Sequence, residues 1–278
     1  MLASGVAPAG QEGVRRPERI ISIVPAATEM LFAIGAGPRV VAVGSYDAYP
    51  PEAALLPRVG ALIDPDVERM LSLTPDLVVV YGSQHDLIAQ LERSRAALFR
   101  YRHGGLADVL TTLRALGEAA GEPKRADALA RRIDADIDRV RRRVAGRSRP
   151  RVLLVFGREP GGLRHIHASG GMGFLHDMLE AAGGDNVLAD VTRESLPLTT
   201  EQVLARRPDV ILEVRAAGPA GDAELARERA AWDRLAAVPA VRSGRVVFLT
   251  GEDLVVPGPR VAGAVERLAA ALHPDIRP

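Results

Sequence analysis

The sequence predicts an α/β protein of two Rossmann-like lobes with parallel sheets, joined by a single long helix. Three observations lead to this prediction. Short β-branched runs alternate with helical periodicity, the alternation stops and restarts near the middle of the 278 residues, and one long amphipathic stretch separates the two halves. A chain of this length has room for two modest domains, each able to bury its own core.

The alternation of strand-like and helix-like segments occurs in both halves. Short buried strands separated by helices are typical of parallel sheets with crossover helices. The first half contains the strand-like runs Arg19–Val24, Val40–Val43, Leu77–Tyr81 and Leu98–Tyr101, with helical periodicity at Thr28–Ile34, Val67–Leu73 and Leu106–Ala119. The second half contains Arg151–Phe156, Val210–Val214 and Arg245–Leu249.

The stretch between the halves is predicted to be one uninterrupted helix from Pro123 to Gly146. Proline suits the first turn of a helix, and glycine suits its C-terminal cap. A helix of this length spans roughly 35 Å, enough to bridge two lobes. Its apolar residues recur at spacings of three and four and form one stripe: Ala126, Leu129, Ile133, Ile137, Val140 and Val144.

The chain is therefore expected to divide into four segments. These are a disordered or processed N-terminus at 1–17, an N-terminal α/β lobe at 18–121, an interdomain backbone helix at 122–147 and a C-terminal α/β lobe at 148–278. An internal repeat supports two lobes of related construction, because Glu68-x-x-Leu71-x-x-x-Pro75-Asp76 returns with the same spacing as Glu201-x-x-Leu204-x-x-x-Pro208-Asp209. Two such lobes would meet across a cleft, the usual place for a small-molecule site.

Composition excludes several classes of function. The net charge of +1 argues against nucleic acid or an anionic membrane as the main partner. The chain has no cysteine, so disulfides, thiol nucleophiles and thiolate metal sites are absent. No apolar run is long enough to cross a bilayer. Residues Met1–Pro17 lack the apolar stretch of a secretory signal, so either a signal was removed or mis-annotated, or the protein is cytosolic.

No catalytic constellation is evident in the sequence. The glycine-rich stretches lack the P-loop lysine and the dinucleotide-binding spacing. His165 and His167 would lie on the same face of a strand, close enough to share an ion, but a third ligand is not evident. We therefore predict a protein that is not an enzyme and has neither a cofactor nor a metal site.

Aromatic residues are scarce, and four of them suggest a ligand site. Tyr46 and Tyr49 lie in a turn after the second predicted strand, and Tyr81 and Phe156 each close a strand. The carboxyl edge of a parallel sheet is where α/β folds bind ligands. Large flat rings at a cleft suit a large flat ligand. The alternative is that these rings pack in the core near the strand ends.

Glu68 and Glu201 occupy matching positions near the starts of matching helices. One interpretation is that each carboxylate complements a helix dipole, worth about 0.3–1 kcal/mol. The other is that the pair has a function that requires one acid on each lobe. From the residues alone, the helix-dipole interpretation is favoured.

A longer segment resembles a known family. The segment Arg19-Ile-Ile-Ser-Ile-Val-Pro-Ala-Ala-Thr-Glu-Met-Leu-Phe-Ala-Ile-Gly35, followed by Val-Val-Ala-Val-Gly-Ser-Tyr-Asp-Ala-Tyr-Pro-Pro51, resembles the helical-backbone (class III) solute-binding proteins of ABC importers. These proteins take up cobalamin, haem and ferric siderophores. The tyrosine turn most resembles that of the cobalamin-binding members. The resemblance implies two lobes joined by a rigid helix, acting outside the cytoplasm, in the periplasm or its equivalent.

The resemblance also implies roles for individual residues. The family's permease-docking glutamates, one per lobe, fall on Glu68 and Glu201. The aromatic positions that line the corrinoid pocket fall on Tyr49, Tyr81 and Phe156. Two tryptophans of that pocket are absent here: Leu62 stands in the first position, Ser195 or Leu196 stands in the second, and Glu252 lies near a pocket acid.

The resemblance thus implies a binding protein that captures a corrinoid in the interlobe cleft and delivers it to an ABC permease, acting as a monomer. Four alternatives remain. They are a haem or ferric-siderophore binding protein of the same importer type, a metal-ion receptor, a cytosolic carrier of a corrinoid or metal chelate, and an enzyme of two α/β lobes.

Overall fold

The computed structural model describes residues 16–217 and 221–275. Two sheets, one from each half of the chain, are connected through a long helix. The strands are β1 Ile20–Ser22, β2 Val40–Val43, β3 Leu77–Tyr81, β4 Ala97–Tyr101, β5 Arg151–Gly157, β6 Ile166–Ser169, β7 Asp185–Asn186, β8 Ser195–Leu198, β9 Val210–Arg215 and β10 Val246–Thr250. The helices are α1 Pro25–Ala33, α2 Pro51–Ala54, α3 Val67–Ser72, α4 His85–Leu91, α5 Leu106–Ala119, α6 Pro123–Val144, α7 Gly173–Ala181, α8 Thr200–Arg206, α9 Asp222–Trp232, α10 Pro239–Arg242 and α11 Val261–Leu272.

The first sheet, which defines the N-terminal lobe, has the strand order β2-β1-β3-β4 with every pairing parallel. Its strands coincide with the four strand-like runs of the first half to within a few residues. The burial pattern explains the agreement, because β3 is apolar and buried at each position before its last residue. Continuous apolar runs are typical of parallel strands covered on both faces.

The second sheet, which defines the C-terminal lobe, has the order β10-β9-β5-β6-β8, with β7 paired to β5. The fold class is confirmed, but this sheet is mixed. Strands β10, β9 and β5 are parallel, whereas β6 and β8 are antiparallel. Sequence patterning missed β8 because it contains Pro197, which cannot donate to the ladder and is tolerated on an edge strand.

The long helix α6 forms as its sequence predicts. Its apolar stripe is buried, and the helix packs against both α5 and α11. One continuous hydrophobic core includes residues from both sheets, such as Ile20 of β1 and Val152 of β5. The two lobes therefore share packed side chains around the helix as well as the covalent connection.

The first described residues are held against the N-terminal lobe. The Arg16 guanidinium contacts Glu122 at 2.5 Å, and Arg39 donates to the Pro17 carbonyl at 2.5 Å. Of the predicted disordered or processed segment 1–17, residues 1–15 lie outside the described part of the chain.

None of the helices in the described ranges combines the length and the apolar character needed to span a lipid bilayer.

A buried ion network lies beyond the end of β5. Arg158 is fully buried and donates to Glu213 at 2.9 Å, and its guanidinium lies 2.7 Å from a carboxylate oxygen of Glu228. Arg215 pairs with the same two glutamates, and the Trp232 indole donates to Glu213 at 3.2 Å. The Glu228 carboxylate also accepts the Gly161 amide, and hydrogen bonds and charge from the two arginines outweigh burial and lower the pKa of Glu228. Two cations thus neutralise two anions inside the lobe.

Candidate functional site

A cavity of about 250 Å³ lies between the lobes. His103, which follows β4, contributes its wall from the N-terminal lobe. The remaining lining residues belong to the C-terminal lobe and come from the end of β5, the start of α7, the start of β8 and the segment before α11. They are Phe156, Met172, Gly173, Phe174, Leu175, Glu194, Ser195 and Val255. We call this space the interlobe cavity.

A row of rings leads from the N-terminal sheet to the interlobe cavity. Tyr81 at the end of β3 meets Tyr101 edge-to-face at 5.8 Å between ring centroids, Tyr101 meets His103 at 6.4 Å, and His103 meets Phe174 of α7 at 5.4 Å. Edge-to-face contacts at these separations are favourable. Burial raises the pKa of Tyr81 and of Tyr101, so both hydroxyls stay neutral. The row joins the two lobes through apolar and aromatic contacts.

The predicted site residues are spread over several positions around this row. Phe156 lies in the interlobe cavity and is 6.3 Å from the His167 ring. Of the two alternatives for the second missing tryptophan, Ser195 lines the cavity, whereas Leu196 packs against the apolar core of the C-terminal lobe. Alternation along β8 explains the difference, since successive residues point to opposite faces.

Leu62 and Glu252 lie outside the interlobe cavity. Leu62 is exposed, and its carbonyl accepts a hydrogen bond from Gln84 at 2.9 Å, close to the end of β3. Glu252 begins a 3-10 turn after β10, and its carboxylate is 3.9 Å from the Arg260 guanidinium.

The tyrosine turn between β2 and α2 leaves its rings outside the core. Tyr46 is 77% exposed and Tyr49 is 40% exposed. The Arg260 guanidinium lies 4.0 Å from the centre of the Tyr49 ring. For these two residues, packing in the core is therefore excluded as an explanation.

A larger groove of about 720 Å³ runs beside the cleft, along α1 and α6. It includes Tyr49 and Arg260, together with Phe32 and Leu129. The groove includes none of Leu62, Tyr81, Phe156, Leu196 and Glu252. The interlobe cavity is smaller, but it lies at the strand ends and contains Phe156, so we treat it as the candidate site.

A buried carboxyl supports the tyrosine turn. Asp47 is 1% exposed, and neither of its carboxylate oxygens has a hydrogen-bond partner within residues 16–217 and 221–275. The Thr28 hydroxyl lies nearby but donates to Ser22 at 2.8 Å, and Arg58 donates to the backbone carbonyl of Asp47 rather than to its carboxylate. Burial therefore dominates and raises the pKa of Asp47 from 3.8 to about 7.

This shift predicts a pH-dependent stability. The folded state holds a proton on Asp47 between its ordinary pKa of 3.8 and about 7, whereas the unfolded state has lost it. The stability that the protonated Asp47 contributes is thus fully present below the ordinary pKa and is lost as pH rises through about 7. Over that interval the free energy of unfolding falls by at most about 1.4 kcal/mol per pH unit. Asp47→Asn should flatten the fall in Tm between about pH 4 and about pH 7. Thermal unfolding across this range measures it, and Asp64→Asn, at an exposed position, is the control that should change nothing.

Glu68 and Glu201 are both exposed, in the first turns of α3 and α8. Other side chains already cap these helices. Asp66 accepts the Arg69 amide at 2.9 Å, and Thr199 and Gln202 form a reciprocal capping box. Hydrogen bonds to its own backbone and to Thr199 lower the pKa of Glu201, so this acid stays ionised. The two glutamates are thus exposed acids that are not needed as caps.

The expectation for the histidine pair is wrong. Only His167 lies in β6, while His165 precedes the strand with a left-handed backbone at φ 51°. The two rings therefore do not share one strand face. Within residues 16–217 and 221–275, acidic and histidine side chains form no group of three or more that could hold a metal ion.

Sequence reasoning missed two features of the site. His103 had no local signal, because its ring contacts depend on α7 approaching from the other lobe. The pairing of Glu29 with Arg260 joins residues 231 positions apart. Glu29 and Arg260 both lie in segments that the family resemblance includes, but their spacing in the sequence does not indicate that they are in contact.

Comparison with known proteins identifies the family. The sequence profile of a family described as periplasmic binding protein matches residues 20–252. The vitamin B12-binding protein of Salmonella typhimurium is 31% identical over 256 residues, which cover 91% of this chain and 90% of that protein. An ABC transporter substrate-binding lipoprotein of Bacillus subtilis is 29% identical over 267 residues, which cover 94% of this chain and 82% of that protein.

Solved structures agree with the sequence relatives. The periplasmic vitamin B12-binding protein of Vibrio cholerae matches with a TM-score of 0.78 at 26% identity, over 92% of this chain and 96% of that chain. The periplasmic heme-binding protein of a Roseiflexus species matches with a TM-score of 0.75 at 30% identity, over 92% of this chain and 98% of that chain. The chain therefore belongs to the periplasmic binding protein family, as a helical-backbone solute-binding protein of the ABC-importer type and not an enzyme.

Proposed function

We propose that the protein captures a corrinoid of the cobalamin type in the interlobe cleft and delivers it to the permease of an ABC importer. The observation that carries this proposal is the row of rings that crosses between the lobes and ends at the interlobe cavity. Flat rings of this kind suit a flat macrocycle. The names of the Salmonella and Vibrio relatives support the same ligand class.

A second candidate is haem, and three observations favour it. Leu62 and Ser195 or Leu196 stand where two tryptophans would add stacking area for a corrinoid. The His103 imidazole lines the cavity, and imidazole is a ligand of haem iron. The Roseiflexus relative is described as heme-binding.

Retention of ligand distinguishes the candidates. The purified protein is incubated separately with cyanocobalamin, haemin and a ferric siderophore, desalted, and measured by absorbance. We expect the cobalamin spectrum to stay with the protein at a one-to-one ratio. Retention of haemin alone would replace the first proposal by the second, and retention of none of the three would contradict both.

The same proposal places the protein outside the cytoplasm, as a monomer that meets its permease through Glu68 and Glu201. The periplasmic and lipoprotein descriptions of its relatives support the location. One exposed acid on each lobe supports the mode of docking. Light scattering of the purified protein measures the oligomeric state, and a stable dimer would contradict the monomer.

The proposed ligand contacts predict the effect of removing a ring. Tyr49→Ala and Tyr81→Ala should each weaken binding by on the order of 1 kcal/mol, about five-fold, because each removes a stacking surface. Tyr49→Ala should lower Tm only slightly, since the ring is 40% exposed and loses only its contact with Arg260, whereas Tyr81→Ala should lower Tm more through its lost contact with Tyr101. Calorimetric titration with cyanocobalamin measures the affinity, and Leu55→Ala, at an exposed position elsewhere, is the control. Unchanged affinity in both tyrosine variants would remove these rings from the site.

A further inference from the structure

An ion pair connects the two lobes at the larger groove, which both of its residues line. Glu29 lies in α1 of the N-terminal lobe, and Arg260 lies immediately before α11 of the C-terminal lobe. The Arg260 Nε donates to one carboxylate oxygen of Glu29 at 2.9 Å, and a terminal guanidinium nitrogen donates to the other. Two parallel hydrogen bonds of this kind define orientation as well as distance. We call these two residues the interlobe pair.

The surroundings of Glu29 are shaped to admit its carboxylate. Its side chain is 3% exposed although it faces the other lobe. A Cβ at Gly258, in the turn before Arg260, would lie 2.8 Å from a carboxylate oxygen of Glu29. A side chain at position 258 would therefore push the carboxylate away. Burial raises the pKa of Glu29, and the Arg260 hydrogen bonds counter that effect.

The position of Arg260 is not explained by its own helix. It occupies the N-cap position of α11 and makes no side-chain capping bond. A cation at a helix N-terminus opposes the helix dipole. A buried ion pair is also weak evidence for net stabilisation, because desolvation offsets the attraction. Arg260 at this position destabilises the start of α11. Its contact with the other lobe therefore explains its position better than a function within α11 does.

The third component is the Tyr49 ring. The Arg260 guanidinium lies 4.0 Å from its centroid, within the range of a cation–π contact. The guanidinium is thus bound through its edge by Glu29 and through its face by Tyr49, and both partners belong to the N-terminal lobe. Glu252 adds a weaker contact at 3.9 Å from the C-terminal lobe. The ring of Tyr49, which is otherwise exposed, is oriented by Arg260.

We propose that the interlobe pair positions the Tyr49 ring for ligand binding and restrains the lobes relative to each other, so that Arg260 is a positioning residue. The part that concerns ligand binding rests on the proposed function. The part that concerns the lobes does not, and it is measured without ligand.

The ligand-free measurement uses the absence of native cysteine. Spin labels are attached through Ala89→Cys in α4 and Ala237→Cys before α10, both at exposed positions in different lobes. Pulsed electron resonance then reports the distribution of interlobe distances. Arg260→Met, which keeps an apolar stem of similar length, should broaden the distribution. The control is Arg267→Met in α11, which breaks an ion pair with Asp253 inside one lobe and should leave the distribution unchanged.

The ligand measurement is a double-mutant cycle with cyanocobalamin, or with haemin if that is the chelate retained. Arg260→Met and Tyr49→Ala should each weaken binding about five-fold. If Arg260 acts through Tyr49, the double variant should bind no more weakly than Tyr49→Ala alone, to within about two-fold. Arg260→Lys should restore part of the affinity, since the ammonium keeps the charge but loses the two-bond geometry.

The outcomes separate the two proposals. Failure of the wild-type protein to retain either chelate contradicts the proposed function, while the distance measurement still tests the interlobe restraint. An unchanged distance distribution in Arg260→Met overturns the restraint. If the losses of binding affinity in Arg260→Met and Tyr49→Ala add in the double variant, Arg260 and Tyr49 act independently. That result overturns the positioning of Tyr49 by Arg260.

Discussion

Replacing both Glu68 and Glu201 by glutamine is expected to abolish stimulation of the importer's ATPase while leaving ligand binding intact. The reason is geometric and electrostatic. Both acids are exposed, occupy equivalent positions of the internal repeat, and are not needed to cap α3 or α8. Paired charges of this kind orient a complex and raise its rate of association. We expect each single variant to lose part of the stimulation and the double variant to lose at least about ten-fold.

The measurement uses the cognate importer reconstituted in liposomes, with the ligand-loaded protein added outside. The control is Glu18→Gln with Glu118→Gln, which changes the net charge equally at two other exposed positions. Stimulation by the wild-type protein should also fall as ionic strength rises, since exposed charges are screened. Full stimulation by the Glu68→Gln, Glu201→Gln protein would contradict docking and leave only the helix-dipole role.

The second large effect is expected at the buried ion network. Arg158→Met should lower the free energy of unfolding by about 3–5 kcal/mol, because removing one partner leaves a buried charge without compensation. Arg215 remains as the single cation for Glu213 and Glu228. The variant also loses the hydrogen bond of 2.7 Å that Arg158 donates to the Gly162 carbonyl, which holds the loop after β5 in place.

Urea unfolding followed by far-UV circular dichroism measures this loss. Fluorescence of Trp232, the single tryptophan, is a less independent probe because its indole is part of the network. Arg164→Met is the matched control: its pair with Glu159 is exposed and screened by solvent, so breaking it should change the free energy of unfolding far less than Arg158→Met does. A loss below about 1 kcal/mol in Arg158→Met would show that the remaining residues and water satisfy both glutamates.

Local patterns in the sequence were sufficient for the elements that surround the core. The parallel strands β1 to β4 and the helix α6 could be predicted because burial of a strand or of one helix face requires a matching period of apolar residues. Their bounds agree to within a few residues. The same reasoning placed Tyr81 and Phe156 at strand ends, since the end of an apolar run marks the end of a buried strand.

The elements that the sequence did not predict have weak or conflicting local signals. Strand β8 is short, contains Pro197 and is exposed at two of its four positions, so its pairing with β6 depends on the sheet that it joins. His165 lies outside β6 because the backbone turns through a left-handed conformation before the strand begins. Neither feature follows from the alternation of residue types.

The contacts around the candidate site were determined only by tertiary structure. Asp47 is an acid in a turn, and its raised pKa exists because the turn folds inward against β1 and α1. The rings of His103 and Phe174, and the charges of Glu29 and Arg260, meet across two lobes. The sequence by itself determined the strands, helices and strand ends that carry a clear apolar period, because that period depends on near neighbours. The packing of the lobes determined which of these residues meet, because distance along the chain carries no information about contact between separate elements.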